Sequence, residues 1–232
     1  MRLPNALAIL LSCLLLSVNV AADFDDGMVA YEEGDYETGL REFQSLAEQG
    51  DAAAQTNLGY MYARGKGVIQ DYKESVKWYT KAAEQGNATA QYNLGLMYDR
   101  GKGVLLDDNE AVKWYTKAAE QDHVLAQTNL GYMYARGKVV LQDNKEAVKW
   151  YTKAAEQGHA LAQYNLALMY DNGEGVPQDN VYAHMWFNIA SSNGSENARA
   201  NRDRAAKRMT PNQLAEGQSL ARECVKKDYK NC

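Results

Sequence analysis

Histidine, cysteine and proline each occur only three times in this chain of 232 residues. No spacing among His123, His159, His184 and the cysteines resembles a zinc site, so no metal is expected. Gly-x-Ser-x-Gly, His-Glu-x-x-His and phosphate-loop patterns are absent. Carboxylates are plentiful, but they fall on expected helix starts and solvent faces, as Glu84 and Glu120 do, and no acid–base pair stands out. The chain therefore reads as non-enzymatic and without a cofactor. There is no basic block, and the formal net charge is −5, which leaves no electrostatic footprint for nucleic acid. So few prolines, with abundant Ala, Leu, Lys, Glu and Gln, point to helix.

Long apolar runs are also missing, apart from Ala6–Leu16. That run follows Arg2 and precedes the small residues Val20-Ala21-Ala22, the layout of a secretory signal peptide over residues 1–22. Asp23 would be the first mature residue, the mature chain would carry no transmembrane segment, and its location would be periplasmic or secreted. Leu10-Leu11-Ser12-Cys13 loosely resembles a lipobox, but Cys13 lies inside the apolar run rather than after it. Without the leader two cysteines remain, Cys224 and Cys232. An even pair in an exported protein fits one disulfide; two free thiols on a frayed tail are the other reading.

What the chain does contain is repetition. Lys-Trp-Tyr-Thr-Lys-Ala-Ala-Glu-Gln occurs at Lys77–Gln85, Lys113–Gln121 and Lys149–Gln157, each copy 36 residues after the last. A drifted fourth copy is Met185–Asn193. Four units follow: 51–86, 87–122, 123–158 and 159–194. Each reads as helix, loop, helix. In the first, Ala54, Leu58, Met61 and Tyr62 share one helical face, Gly65 offers a left-handed stop, and Asp71 with Glu74 forms a capping-box pattern. Asp107/Glu110 and Asp143/Glu146 repeat that pattern, and Asp179/Tyr182 loses it. No unit buries its apolar face alone, so stacking and atypical end caps are required. Residues 23–50 supply a leading hairpin, with Tyr31, Gly34, Tyr36, Leu40, Phe43 and Leu46 as its packing set. Residues 195–232 supply closing helices, the last starting at Thr210-Pro211-Asn212-Gln213.

The pattern Ala-x-x-Asn-Leu-Gly-x-Met-Tyr-x-x-Gly-x-Gly-Val, then Asp, then Ala-Val-Lys-Trp-Tyr-x-Lys-Ala-Ala-Glu-Gln-Gly, resembles the Sel-1-like repeat family, a subclass of tetratricopeptide-type solenoids. The resemblance covers 51–194, and the Met209–Glu223 tail helix is similar to the usual ending of bacterial members. It implies an all-α fold, a right-handed α/α superhelix of stacked helix-loop-helix repeats of about 36 residues, used as an adaptor or scaffold. Val139 and Ala167 depart from the pattern, each replacing a glycine. Some cysteine-rich relatives are associated with β-lactam binding or hydrolysis. Their hallmark is a cysteine pair in each repeat, which this chain lacks. A glycan-handling envelope scaffold, with Tyr and Trp stacked on sugars, is a further alternative.

The units differ most usefully on their first helices. Units one and two diverge there at Ala53/Thr89, Thr56/Tyr92, Tyr60/Leu96 and Ala63/Asp99, one stripe at spacings of three, four and three. Thr128/Tyr164, Tyr132/Leu168 and Ala135/Asp171 continue the alternation. The resemblance implies that the first helix of each pair lines a concave groove, with this stripe as its wall. Beside it run Asn57, Asn93, Asn129 and Asn165, able to donate and accept to a peptide backbone. Arg64, Arg100 and Arg136 form a row suited to carboxylates. The candidate partner-binding set is Asn57, Tyr60, Arg64, Tyr92, Asn93, Arg100, Asn129, Tyr132, Arg136, Tyr164 and Asn165, facing a protein or peptide. Competing structural readings are drift after duplication of a two-unit block, an Asn ladder bonding between helices, and arginines placed for the helix dipole.

Overall fold

The computed structural model describes residues 23–137 and 142–232. The expected leader at 1–22 and the departure at Val139 lie outside the described residues. Twelve helices and no strands are found among those described. A hairpin of α1 (Phe24–Glu33) and α2 (Tyr36–Glu48) precedes four helix pairs. These are α3 (Ala52–Arg64) with α4 (Tyr72–Glu84), α5 (Ala88–Arg100) with α6 (Asp108–Glu120), α7 (Val124–Arg136) with α8 (Asn144–Ala155), and α9 (Ala160–Asn172) with α10 (Asn180–Ser192). Two closing helices follow, α11 (Glu196–Ala206) and α12 (Pro211–Lys226). From α1 to α11 each helix packs on the next in chain order, and α12 packs on α10 rather than on α11, so the architecture is an all-α solenoid.

Helix starts follow from the residues just before them. Asp51 and Asn87 accept hydrogen bonds from the backbone N–H of Ala54 and Ala90, which satisfies a donor of the first turn. The second helices begin at Asp71, Asp107, Asp143 and Asp179, each accepting from the two N–H groups two and three residues on. The capping boxes expected there are only half built. Glu74, Glu110 and Glu146 turn instead to Lys77, Lys113 and Lys149, at 3.1, 2.9 and 3.0 Å. A lysine one turn further on offers a cation to a carboxylate that would otherwise reach back to a neutral N–H. A full capping box occurs at Thr210 and Gln213, ahead of Pro211 in the first turn of α12.

The repeated phrase is packing material. Trp78, Trp114 and Trp150 are 6–8% exposed, and each reaches back into the preceding unit. Trp114, for instance, sits among Ala63, Tyr79, Ala82, Leu94 and Met97. The tyrosines that follow explain the helix glycines. A Cβ on Gly59, Gly95 or Gly131 would lie 2.7–2.8 Å from the ring of Tyr79, Tyr115 or Tyr151. In unit four the glycine becomes Ala167 and the tyrosine becomes Phe187, both buried in one cluster. The departure at Ala167 is thus half of a paired change.

The glutamine of the phrase has a second task. Gln55, Gln91, Gln127 and Gln163 are buried on the first helices. Their Nε2 groups donate to Ala47, Ala83, Ala119 and Ala155 carbonyls at the end of the preceding unit, at 3.0–3.1 Å. Their Oε1 atoms accept from Gln85, Gln121, Gln157 and Asn193 at 2.7–2.9 Å. Buried amides paid for in this way hold the register between units.

Both ends are closed. Phe24 and Phe43 meet at 5.6 Å in the leading hairpin. At the other end Cys224 and Cys232 are joined by a disulfide. The tail it holds lays Tyr229 against Gly158 and donates its hydroxyl to Asn193 at 3.1 Å. Arg208 pairs with Asp171, tying the turn before α12 to unit four.

Candidate functional site

The alternating stripe on α3, α5, α7 and α9 creates two kinds of junction. In the odd units the stripe begins with a small, buried threonine: Thr56 and Thr128 return their hydroxyls to the Ala52 and Val124 carbonyls, at 2.7 and 2.9 Å. One turn on, Tyr60 and Tyr132 project and are 38% and 44% exposed. Arg64 and Arg136 lie over these rings at 5.5 and 5.4 Å. In the even units a large residue comes first. Tyr92 is half-buried, stacked on His123 at 4.7 Å and tilted against Tyr115 at 5.8 Å. Tyr164 packs on Phe187 at 5.8 Å and accepts from Asn201 at 2.9 Å.

Open pockets therefore form where an odd unit meets the following even one. The first, about 270 Å³, lies between α3 and α5 and brings together Tyr60, Arg64, Asn93, Leu96 and Arg100, with Gln70, Tyr72 and Lys102 from the loops and α4. The second, about 480 Å³, lies between α7 and α9 and brings together Tyr132, Arg136, Asn165, Leu168 and Asn172, with Gln142 and Glu174. A third, about 260 Å³, joins Asn57 and Tyr60 to Met28 and Tyr31 of the leading hairpin.

The candidate residues thus divide. Tyr60, Arg64, Asn93 and Arg100 share one pocket, and Tyr132, Arg136 and Asn165 share its counterpart. Tyr92 and Tyr164 fill junctions instead, and Asn129 stands beside the Tyr92 hydroxyl. Asn57 offers Nδ2 to the Met28 sulfur at 3.7 Å. Asn93 and Asn165 make no side-chain hydrogen bond among the described residues, so half of the ladder has free amides aimed at pockets. Lys102 and Glu174 were not among the candidates. The signal for them was a single loop position carrying Lys66, Lys102, Lys138 and then Glu174.

The histidines serve the junctions. His123 caps α7, its Nδ1 accepting from the Ala126 N–H at 3.3 Å, and His159 shares a hydrogen bond of 2.8 Å with Thr128. Burial disfavours the imidazolium and pushes both pKa values down. The unfolded chain takes up protons near the ordinary value, about 6.5. The stability carried by the neutral rings is present above that pH and is lost as pH falls toward the lowered native values. His123→Asn keeps a capping acceptor, as Asn87 does. Its melting temperature should fall less than wild type between pH 7.5 and 5.5; an equal fall would show that His123 does not contribute.

Among the described residues, no cluster of His, Cys, Asp and Glu could hold a metal. No helix among them is long and apolar enough to cross a membrane.

Residues 52–87, 88–123, 124–159 and 160–195 each match the Sel1 repeat family. The chain is similar to the crystal structure of a protective antigen of uropathogenic Escherichia coli strains displaying an SLR fold, with 35% identity and a TM-score of 0.77. That match covers 86% of this chain and 45% of the antigen, so the chain spans less than half of its length. It is also similar to a Sel1 repeat protein from Oxalobacter formigenes, with 34% identity and a TM-score of 0.73 over 85% of each chain. A sel1 repeat protein from Klebsiella pneumoniae, 23% identical with a TM-score of 0.51 over 79% of this chain and 91% of that one, shares the fold. No curated protein matches. With four consecutive units matched and the helix pairs stacked as described, the chain belongs to the Sel1 repeat family.

Proposed function

We propose that this chain is an exported, non-enzymatic adaptor that holds a segment of another protein along the face formed by α3, α5, α7 and α9. Sel1 repeat proteins are generally protein-binding scaffolds. The observation that carries the proposal is the pair of open pockets in which Asn93 and Asn165 present amides with no side-chain hydrogen-bond partner among the described residues. Amides in that position can donate to and accept from an extended backbone, while Leu96 and Leu168 offer apolar contact beside them. Export rests on the leader pattern of residues 1–22 and agrees with a disulfide in the tail. The glycan alternative is weakened because Trp78, Trp114, Trp150 and Trp186 are committed to the core.

The test is selection of displayed peptides on residues 23–232, followed by affinity measurement on Asn93→Ala/Asn165→Ala. Loss of two backbone-directed hydrogen bonds should weaken selected peptides roughly tenfold, with an unchanged helical melt. Unchanged affinity, or a melt that falls in step with binding, would remove the assignment.

A further inference from the structure

The two pockets are copies, and their differences are chemical. A shift of 72 residues carries Tyr60, Arg64, Asn93 and Leu96 of the first onto Tyr132, Arg136, Asn165 and Leu168 of the second, without a change of residue type. The units that supply the leading wall, one and three, agree at 29 of 36 positions. Units two and four, which supply the other wall, agree at only 17 of 36 positions, and two of their differences fall in the pocket linings: Arg100 becomes Asn172, and Lys102 becomes Glu174.

The first pocket therefore gathers Arg64, Arg100 and Lys102, with no carboxylate in its lining. Arg64 lies over the Tyr60 ring, and among the described residues Lys102 meets a phenol, its Nζ 3.4 Å from the Tyr72 hydroxyl. Arg100 makes no ion pair among the described residues. Asp99, the adjacent acid, is outside the lining; it and Arg100 both act on Tyr92 and Tyr115 of the next junction. In the second pocket Glu174 balances Arg136 and accepts from Asn172 Nδ2 at 3.2 Å. Three gathered cations repel one another and gain from an anion that bridges them; a balanced pocket has no such demand.

We infer that the binding face has a chemical direction: the pocket between units one and two takes an Asp or Glu side chain of the bound peptide, and the pocket between units three and four takes an uncharged one. This rests on the proposal that the face holds a peptide. The carboxylate would meet Arg100 and Lys102, with Leu96 beside it for a neighbouring aliphatic side chain.

Exchange of the two switched positions tests it. Peptides are selected from a displayed random library on residues 23–232, on Arg100→Asn/Lys102→Glu, which gives the first pocket the chemistry of the second, and on Asn172→Arg/Glu174→Lys, which does the reverse. All four positions are at or near the surface, and helical melts check the fold of each variant. Wild type should select peptides with one acidic position at a fixed offset from an aliphatic residue. Those peptides should bind Arg100→Asn/Lys102→Glu about tenfold or more weakly, and more weakly to wild type in high salt. The reverse exchange should select a second acidic position. Synthetic peptides with amidated C-termini should keep their affinity. Loss of binding on amidation would assign the pocket to a chain terminus and overturn the side-chain assignment. Peptides that depend on Asn93 and Asn165 but show no acidic position, or acidic peptides indifferent to the exchanges, would overturn the inference and leave the peptide-binding face intact. Failure to select any peptide would overturn both.

Discussion

Trp114→Ala is expected to lower stability by about 3–5 kcal/mol, the usual cost of emptying a large aromatic site in a core. The ring is 7% exposed and lies where units one and two meet. Lys113 and Lys117 cover its outer face at 5.6 and 4.4 Å, so their stems would lose a packing partner as well. The cost should also have a location. A solenoid is stabilised by contacts between nearest neighbours, and a weakened junction divides it into blocks. Urea unfolding followed by far-ultraviolet dichroism should therefore change from one transition to two, with the leading hairpin and unit one melting first. A single transition displaced by less than about 1 kcal/mol would mean that the surrounding alanines close the gap.

The second large effect is expected at the opposite end. Cys224→Ser/Cys232→Ser removes a crosslink between residues eight apart. The chain-entropy relation for a loop of that size gives about 2.5 kcal/mol. The tail works against its own backbone: Asp228, Tyr229 and Asn231 all have positive φ, which is unfavourable for residues with a Cβ. Outside the link it is held by single hydrogen bonds such as Tyr229 to Asn193 and the Asn231 N–H to Glu156. Once the link is gone, Tyr229 should leave Gly158 and Asn193, exposing the edge of unit four. Hydrogen exchange should then accelerate in α12 and α10 while α3 to α6 remain protected. Equal exchange in α12 with and without the disulfide would show that Arg208 and the packing of α12 on α10 suffice to hold the end.

The fold was legible because its signals were local and repeated. Glycine stops, aspartate caps and a 36-residue period all act within a few residues of where they are read. Side-chain choices that depend on a neighbouring unit were harder. Glu74 looked like half of a capping box, yet Lys77 takes its carboxylate. The alternation of Thr56/Tyr92 with Tyr60/Leu96 was visible as a stripe. Which tyrosine projects and which fills a junction depends on the helix opposite, which the stripe does not contain. Gln55 and its equivalents are the same in every unit, so comparison of the units carries no sign that they join them. Lys102 and Glu174 sit in a loop, outside the helix, where helical periodicity carries no signal.

Those glutamines carry a consequence for how such a molecule can grow. Every junction uses the same fastener, a buried amide that grips the preceding unit and is gripped by the end of its own. A two-unit cassette could be spliced in at a junction between an even and an odd unit without leaving an amide unmatched. Each cassette would bring one more Tyr–Arg–Asn–Leu pocket, whose polarity is set by two residues that touch no fastener. Gene duplication could thus lengthen the reach of the protein in fixed steps, while point changes at the Arg100 and Lys102 positions rewrite what each step reads.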